Sequence, residues 1–343
     1  MQMQNTALGL ILLIIAGAMN GSFTLPMKYT KRWAWENTWL AWTIFALFVL
    51  PPAVTFIALP EVNQVYAQSS WTPILIVAAC GAGWGISQVF FGLAVEAVGI
   101  ALAFSVILGI AAAVGSLVPL FRDHLDKIFT QGSIGVLIGV GLVIAGVTIC
   151  AAAGRRREAA LGTGPQGGKA SVGRGLLFCL FSGLGSALVA IGFDAGKGLS
   201  DASQHLGGSA LWAPMAAWLP LMVAGGVPNL IYCLYLQRKN KTGKKFSESG
   251  TGGYWPLAFV MAICWFGSTV MYGMSTGYFP AHWGTVVAWP AFMSLIVITA
   301  SVHGIRTGEW KGTGTTPVRI QLGGVAVLII AVIVLQLAGQ WVH

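Results

Sequence analysis

Trp84-Gly85-Ile86-Ser87-Gln88-Val89-Phe90-Phe91-Gly92 lies in the third long apolar run of the chain. Beginning 181 residues later, Trp265-Phe266-Gly267-Ser268-Thr269-Val270-Met271-Tyr272-Gly273 repeats its frame. Trp, Ser, Val and the final Gly recur in register, and Phe91 is answered by Tyr272. With the same offset Gly109 falls on Pro290, and both residue types weaken a helix. A mostly apolar chain that repeats itself once, half a length apart, is expected of a membrane carrier built from two related halves.

The composition names lipid as the solvent. Of 343 residues, 56% are hydrophobic and 8% charged, and the mean hydropathy is +0.77. Soluble domains carry about 25% charged residues, and no soluble fold of this size hides so much apolar surface. The net charge of +9 does not point to nucleic acid. Its basic residues stand in short tracts between apolar runs, as in the loops of membrane proteins. Cys80, Cys150, Cys179, Cys233 and Cys264 are scattered singly, without metal or redox spacing, and read as apolar packing. No Lys or Arg precedes the first run, which continues to Pro26, so it reads as a first membrane helix and not as a signal peptide.

A bilayer-spanning helix takes about 20 mostly apolar residues. Ten such runs fall at 6–26, 37–59, 72–93, 98–120, 132–153, 174–195, 210–236, 255–278, 283–302 and 319–340. The Gly-rich stretch 154–173, with Arg155-Arg156-Arg157, reads as a flexible cytoplasmic linker between a first repeat, 1–153, and a second, 174–343. The other long connection, 237–254, is rich in Lys. Sixteen of the 19 Lys and Arg residues fall in or at the edges of odd-numbered connections, the exceptions being Arg122, Lys127 and Lys197. The positive-inside rule therefore puts odd connections in the cytoplasm and both termini outside. A five-helix half that begins outside ends inside, so the second half enters upside down. The expected fold is an all-α integral membrane protein, ten transmembrane helices in a five-plus-five inverted repeat. Helices 5 and 10, with Gly135-x-x-x-Gly139 and Gly323-Gly324, read as peripheral packing helices, in a monomer or at a homodimer contact.

Solute sites in carriers combine aromatic rings, which stack on apolar faces, with polar groups that bind donors and acceptors. Trp84 and Trp265 fall near the middles of helices 3 and 8, where carriers of this build hold substrate; Gln88 and Tyr272 lie about one turn and two turns further on. Plain helix packing explains any one of these rings equally well. Asn20, inside helix 1, has an amide that is costly in hydrocarbon and must face a partner helix or a cavity. Asp194 is the one acid placed inside an apolar run. It reads either as an ion-coupling carboxylate or as half of a structural ion pair with Lys197. His282, at a helix start, is the other titratable candidate.

The chain resembles the bacterial L-rhamnose/proton symporters of the drug/metabolite transporter superfamily over most of its length. The stretches that carry the likeness are Pro26-Met27-Lys28, Lys31-Arg32-Trp33-Ala34-Trp35-Glu36, Trp84-Gly85-Ile86 with Gly92, Phe181-Ser182, Asp194-Ala195-Gly196-Lys197 and Gly308-Glu309-Trp310. The basic-Trp-x-Trp-Glu stretch is the most specific of them. The resemblance implies ten helices, an inverted repeat and proton-coupled sugar uptake. Three departures bear on the sugar and the coupling ion. Asp194 stands where the family has an amide, Ser268 stands where it has Gln, and no acid falls between His282 and Trp289. Ser268 and Trp289 join the candidate substrate contacts.

No Gly-x-Ser-x-Gly, His-Glu-x-x-His or Gly-x-x-x-x-Gly-Lys-Ser/Thr occurs, so neither hydrolase, zinc-protease nor nucleotide chemistry is expected. The expectation is therefore a secondary transporter, without cofactor or metal, in the bacterial cytoplasmic membrane. It imports a monosaccharide with a proton, or with sodium, by alternating access. An exporter of metabolites, amino acids or drugs on the same fold is the alternative. An intramembrane enzyme or sensor is the alternative from another class, and it lacks a visible catalytic dyad.

Overall fold

The computed structural model describes residues 6–123, 125–162, 169–279 and 283–341. All regular structure among them is helical. The main helices are α1 (Thr6–Ser22), α2 (Trp35–Ala58), α3 (Trp71–Val98), α4 (Ile100–Asp123), α5 (Gln131–Leu161), α6 (Lys169–Ala195), α7 (Met215–Asn240), α8 (Tyr254–Thr276), α9 (Gly284–Arg306) and α10 (Thr315–Gln340). Among the described residues ten segments are long and apolar enough to cross a membrane, at the places expected from hydropathy.

The ends differ from expectation where local chemistry intervenes. α1 stops at Ser22, and a 3-10 turn, Leu25–Tyr29, takes over with Pro26 in its first turn. α2 contains a π-helical turn at Ile44–Val49 just before Pro51 and Pro52. There the Leu50 N–H donates to the Phe45 carbonyl, five residues back. α5 runs on through the arginines to Leu161 and is closed by Gly162 in the left-handed conformation, φ 66°. Ala151–Ala153 and the Arg-Arg-Arg-Glu-Ala-Ala stretch are strong helix formers, and Gly meets the αL cap without a Cβ clash. Much of the expected linker is thus helical; 163–168 lie outside the described residues.

The chain forms two compact units. The first contains Met1–Gly21, Ser87–Ile191 and Ser275–His343; the second contains Ser22–Ile86 and Gly192–Met274. Each draws on both halves of the sequence, and within each a helix packs on its counterpart five helices later.

In the first unit α5 lies along α10 and α4 against α9. A Cβ on Gly135 would lie 2.8 Å from Ala338 Cβ, one on Gly139 2.5 Å from Leu335 Cδ2, and one on Gly324 2.6 Å from Cys150 Sγ. These small residues let the two backbones approach. The close approach foreseen for helices 5 and 10 is thus made within the chain. Pro290, on α9, has no N–H to offer the Val286 carbonyl, and Ser116 of α4 donates to that oxygen at 2.6 Å. Arg157, at the end of α5, pairs with Glu309 at 3.3 Å and lies 5.6 Å from the Trp310 ring.

In the second unit α2 packs on α7. Pro220 deprives the Ala216 carbonyl of its helical donor, and the Tyr66 hydroxyl supplies one at 2.8 Å. Burial pushes the Tyr66 phenol well above the usual tyrosine range, so it stays a donor. Glu36, buried, accepts from Thr242 Oγ1 at 2.7 Å and from Asn240 Nδ2 at 3.1 Å. Asn37 Nδ2 donates to the Thr242 carbonyl and Trp33 Nε1 to the Lys245 carbonyl. The basic-Trp-x-Trp-Glu stretch is therefore a clasp that holds residues 240–249 against the start of α2.

Candidate functional site

The two repeated tryptophans meet. Trp84 on α3 and Trp265 on α8 stack with centroids 5.5 Å apart and planes inclined by 15°. Trp84 is seated by glycine. Gly81 and Gly85 let α3 touch the backbone of Leu221 and Gly225 on α7, and a Cβ on Gly225 would come within 2.6 Å of the Trp84 ring. Residues equivalent under a two-fold repeat that stack on each other lie at its axis, where carriers with internal repeats bind substrate.

Trp42 of α2 completes the wall. It stands edge-on to Trp265, 5.2 Å between centroids and 85° between planes, the preferred alternative to stacking. Phe23 and Trp39 back it at 5.9 and 4.6 Å. Trp39 donates its indole N–H to Asn229 Oδ1 at 3.3 Å, and Asn229 Nδ2 donates to the Gly225 carbonyl at 3.0 Å. Trp42 is 2% exposed, and its Nε1 has no hydrogen-bond partner among the described residues. An unpaired buried donor costs about 1–3 kcal/mol.

Tyr272 belongs to a second aromatic group. Phe193 stacks on Trp218 at 4.4 Å and 19°, with Tyr272 5.6 Å from Phe193. Trp218 Nε1 is likewise buried without a hydrogen-bond partner among the described residues. Asp194 follows Phe193 directly, in the last turn of α6, half-buried. The chain then breaks at Gly196, packed against Ala217, before a short helix, Lys197–His205, that begins with Lys197.

The other expected residues are placed differently. Ser268 is buried and donates to the Trp265 carbonyl at 2.5 Å, so its proton serves the helix backbone beside the ring. Asn20, in the last turn of α1, and Gln88, on α3, are half-buried and belong to the first unit. So does Trp289, whose indole donates to the Ala111 carbonyl at 2.9 Å in the α4–α9 contact. His282 lies outside the described residues. Trp42, Trp39, Asn229 and Trp218 were not foreseen. Nothing in the repeat frame marks any of the four.

Ten apolar spans among the described residues, with equivalent helices packed as pairs, define a multi-pass membrane protein. Residues 3–339 match the family described as L-rhamnose-proton symport protein (RhaT), and the chain belongs to that family. Among its relatives is the L-rhamnose-proton symporter of Pectobacterium atrosepticum, 27% identical over 334 residues, which cover 94% of this chain and 95% of that protein. The L-rhamnose-proton symporters of Yersinia pestis and Yersinia pseudotuberculosis are 28% identical over 331 residues, 94% of this chain and 95% of theirs.

Proposed function

We propose that this protein is a secondary active transporter that imports L-rhamnose or a closely related monosaccharide with a proton across the cytoplasmic membrane by alternating access. The single observation that carries the substrate class is the Trp84–Trp265 stack with Trp42 edge-on to it. Flat indole faces suit the C–H face of a pyranose, and the Trp42 N–H suits a hydroxyl oxygen. Membership of a family described by rhamnose–proton symport favours import over the exporter alternative. Trp84, Trp265, Trp42 and Tyr272 would contact the sugar, with Asn20, Gln88, Ser268 and Trp289 as the further candidates named above. Asp194 would load and release the proton, helped by Lys197 or, failing them, His282. A carboxylate inside an apolar helix, beside the break at Gly196, is a functional candidate by default. The odd-numbered connections would face the cytoplasm and the termini the outside, following the basic residues. Nothing in this assignment asks for a bond to be made or broken.

Counterflow in proteoliposomes tests the substrate assignment without requiring an ion gradient. Vesicles loaded with unlabelled L-rhamnose should transiently take up labelled L-rhamnose, and other monosaccharides should compete in order of their likeness to it. Absence of counterflow with every monosaccharide in the panel, from folded protein, would refute it.

A further inference from the structure

One end of the second unit gathers positive charge that the transport site does not use. Lys28, Lys31, Arg32, Arg238, Lys241 and Lys244 are all exposed there. They come from two connections more than 200 residues apart in sequence. The clasp joins them: Arg32 donates to the Ser249 carbonyl at 2.6 Å, Lys245 Nζ to the Arg32 carbonyl at 3.2 Å, and Trp33 to the Lys245 carbonyl at 3.2 Å. Lys241 itself caps α7 in the left-handed conformation, φ 57°. The local carboxylates do not balance the patch. Glu36 is buried and held by Thr242 and Asn240, leaving Glu248 as the exposed acid. Lys31, Lys241 and Lys244 form no salt bridge among the described residues.

The rim of the same patch is aromatic. Tyr29 is 69% exposed, Trp35 44% and Tyr235 55%, the last lying beneath Lys239 at 5.9 Å. All three fall at or within two turns of an end of a candidate span. Exposed Trp and Tyr rings at span ends sit at the level of lipid headgroups. Clustered Lys and Arg immediately beside them attract anionic lipid, by about 1 kcal/mol per basic residue. A water-borne anion would have no use for the rings, and an acidic protein would have to displace the lipid already at that level.

We infer that this surface is a binding site for the headgroup of an anionic glycerophospholipid, with the lysines on the phosphate and Tyr29, Trp35 and Tyr235 beside the glycerol. It stands independently of which solute the protein carries. The full-length protein in phosphatidylcholine nanodiscs, with and without phosphatidylglycerol, is extracted and its retained lipids are weighed by native mass spectrometry. Phosphatidylglycerol should be retained over phosphatidylcholine. Each of Lys31→Gln, Lys241→Gln and Lys244→Gln should weaken retention about fivefold, and the triple variant carrying all three more than any of them alone, whereas Lys127→Gln should leave it unchanged. Should the triple variant fail to fold, wild-type protein decides the matter. Retention should fall as sodium chloride screens the charges, and inorganic phosphate at equal ionic strength should displace no more lipid than chloride does. Equal retention of the two lipids, indifference to salt, displacement specific to inorganic phosphate, or a folded triple variant that retains lipid like the wild type would each overturn the assignment.

Discussion

Trp42 carries an indole N–H into a position where it costs free energy. It is buried and unpaired among the described residues, yet three aromatic neighbours hold its ring. A sugar hydroxyl would remove that cost. Trp42→Phe keeps a ring and loses only the donor, so it should weaken L-rhamnose binding about fivefold with little loss of thermal stability. Trp265→Ala, which removes a stacking face, should cost about 2 kcal/mol, roughly thirtyfold. Titration of sugar into detergent-solubilised protein reads both; unchanged affinity in both would reduce the indole wall to packing. Trp84 and Trp265 were legible because the repeat set them in register. Trp42 was not, since it lies in a Trp-rich stretch of α2 where composition gives no reason to prefer one ring over another. Trp289 was named as a candidate too; its N–H is engaged by the Ala111 carbonyl, a partner 178 residues away that no local pattern announces.

The helical hydrogen bonds that Pro220 in α7 and Pro290 in α9 remove are replaced from outside the helix. Ala216 and Val286 each lose a helical donor to the proline four residues on, and each regains one from a hydroxyl, Tyr66 and Ser116 respectively. In hydrocarbon an unpaired carbonyl is expensive. Tyr66→Phe should therefore lower stability by about 1–3 kcal/mol, seen as a lower melting temperature. In a Pro220→Ala background, where residue 220 regains its N–H, the same change should cost less. Equal losses in both backgrounds would show that the bond to Ala216 is not what Tyr66 contributes. The prolines and the matched position of Gly109 and Pro290 could be read along the chain, as could the ten spans, because each rests on a local run of residues. The hydroxyl donors lie 150 and 170 residues away, so no window of sequence contains both partners. The helical extension of α5 past Arg157 was local but overlooked, the charge and glycine of 154–173 masking the strong helix propensity of 151–160.

The whole molecule is organised by the pairing of equivalent helices. α2 with α7, α4 with α9 and α5 with α10 pack together, and α3 meets α8 through Trp84 and Trp265. The five-plus-five inverted repeat was anticipated, but not that equivalent helices would pack on each other; the two units interleave the halves because partners come from opposite halves of the chain. If the basic residues set the orientation, the Lys-rich connection faces the cytoplasm. A cysteine at Gly243, where a Cβ would meet open space, should react with an impermeant maleimide only after the membrane is opened. Labelling from outside intact cells would reverse the topology. Proton-driven import is tested most directly by uphill accumulation of labelled L-rhamnose in right-side-out vesicles. With an inward proton gradient, wild-type protein should concentrate the sugar above the medium and a protonophore should abolish this. Asp194→Asn should only equilibrate it. Accumulation that survives the protonophore, or a gradient that never raises internal sugar above the medium, would contradict the account.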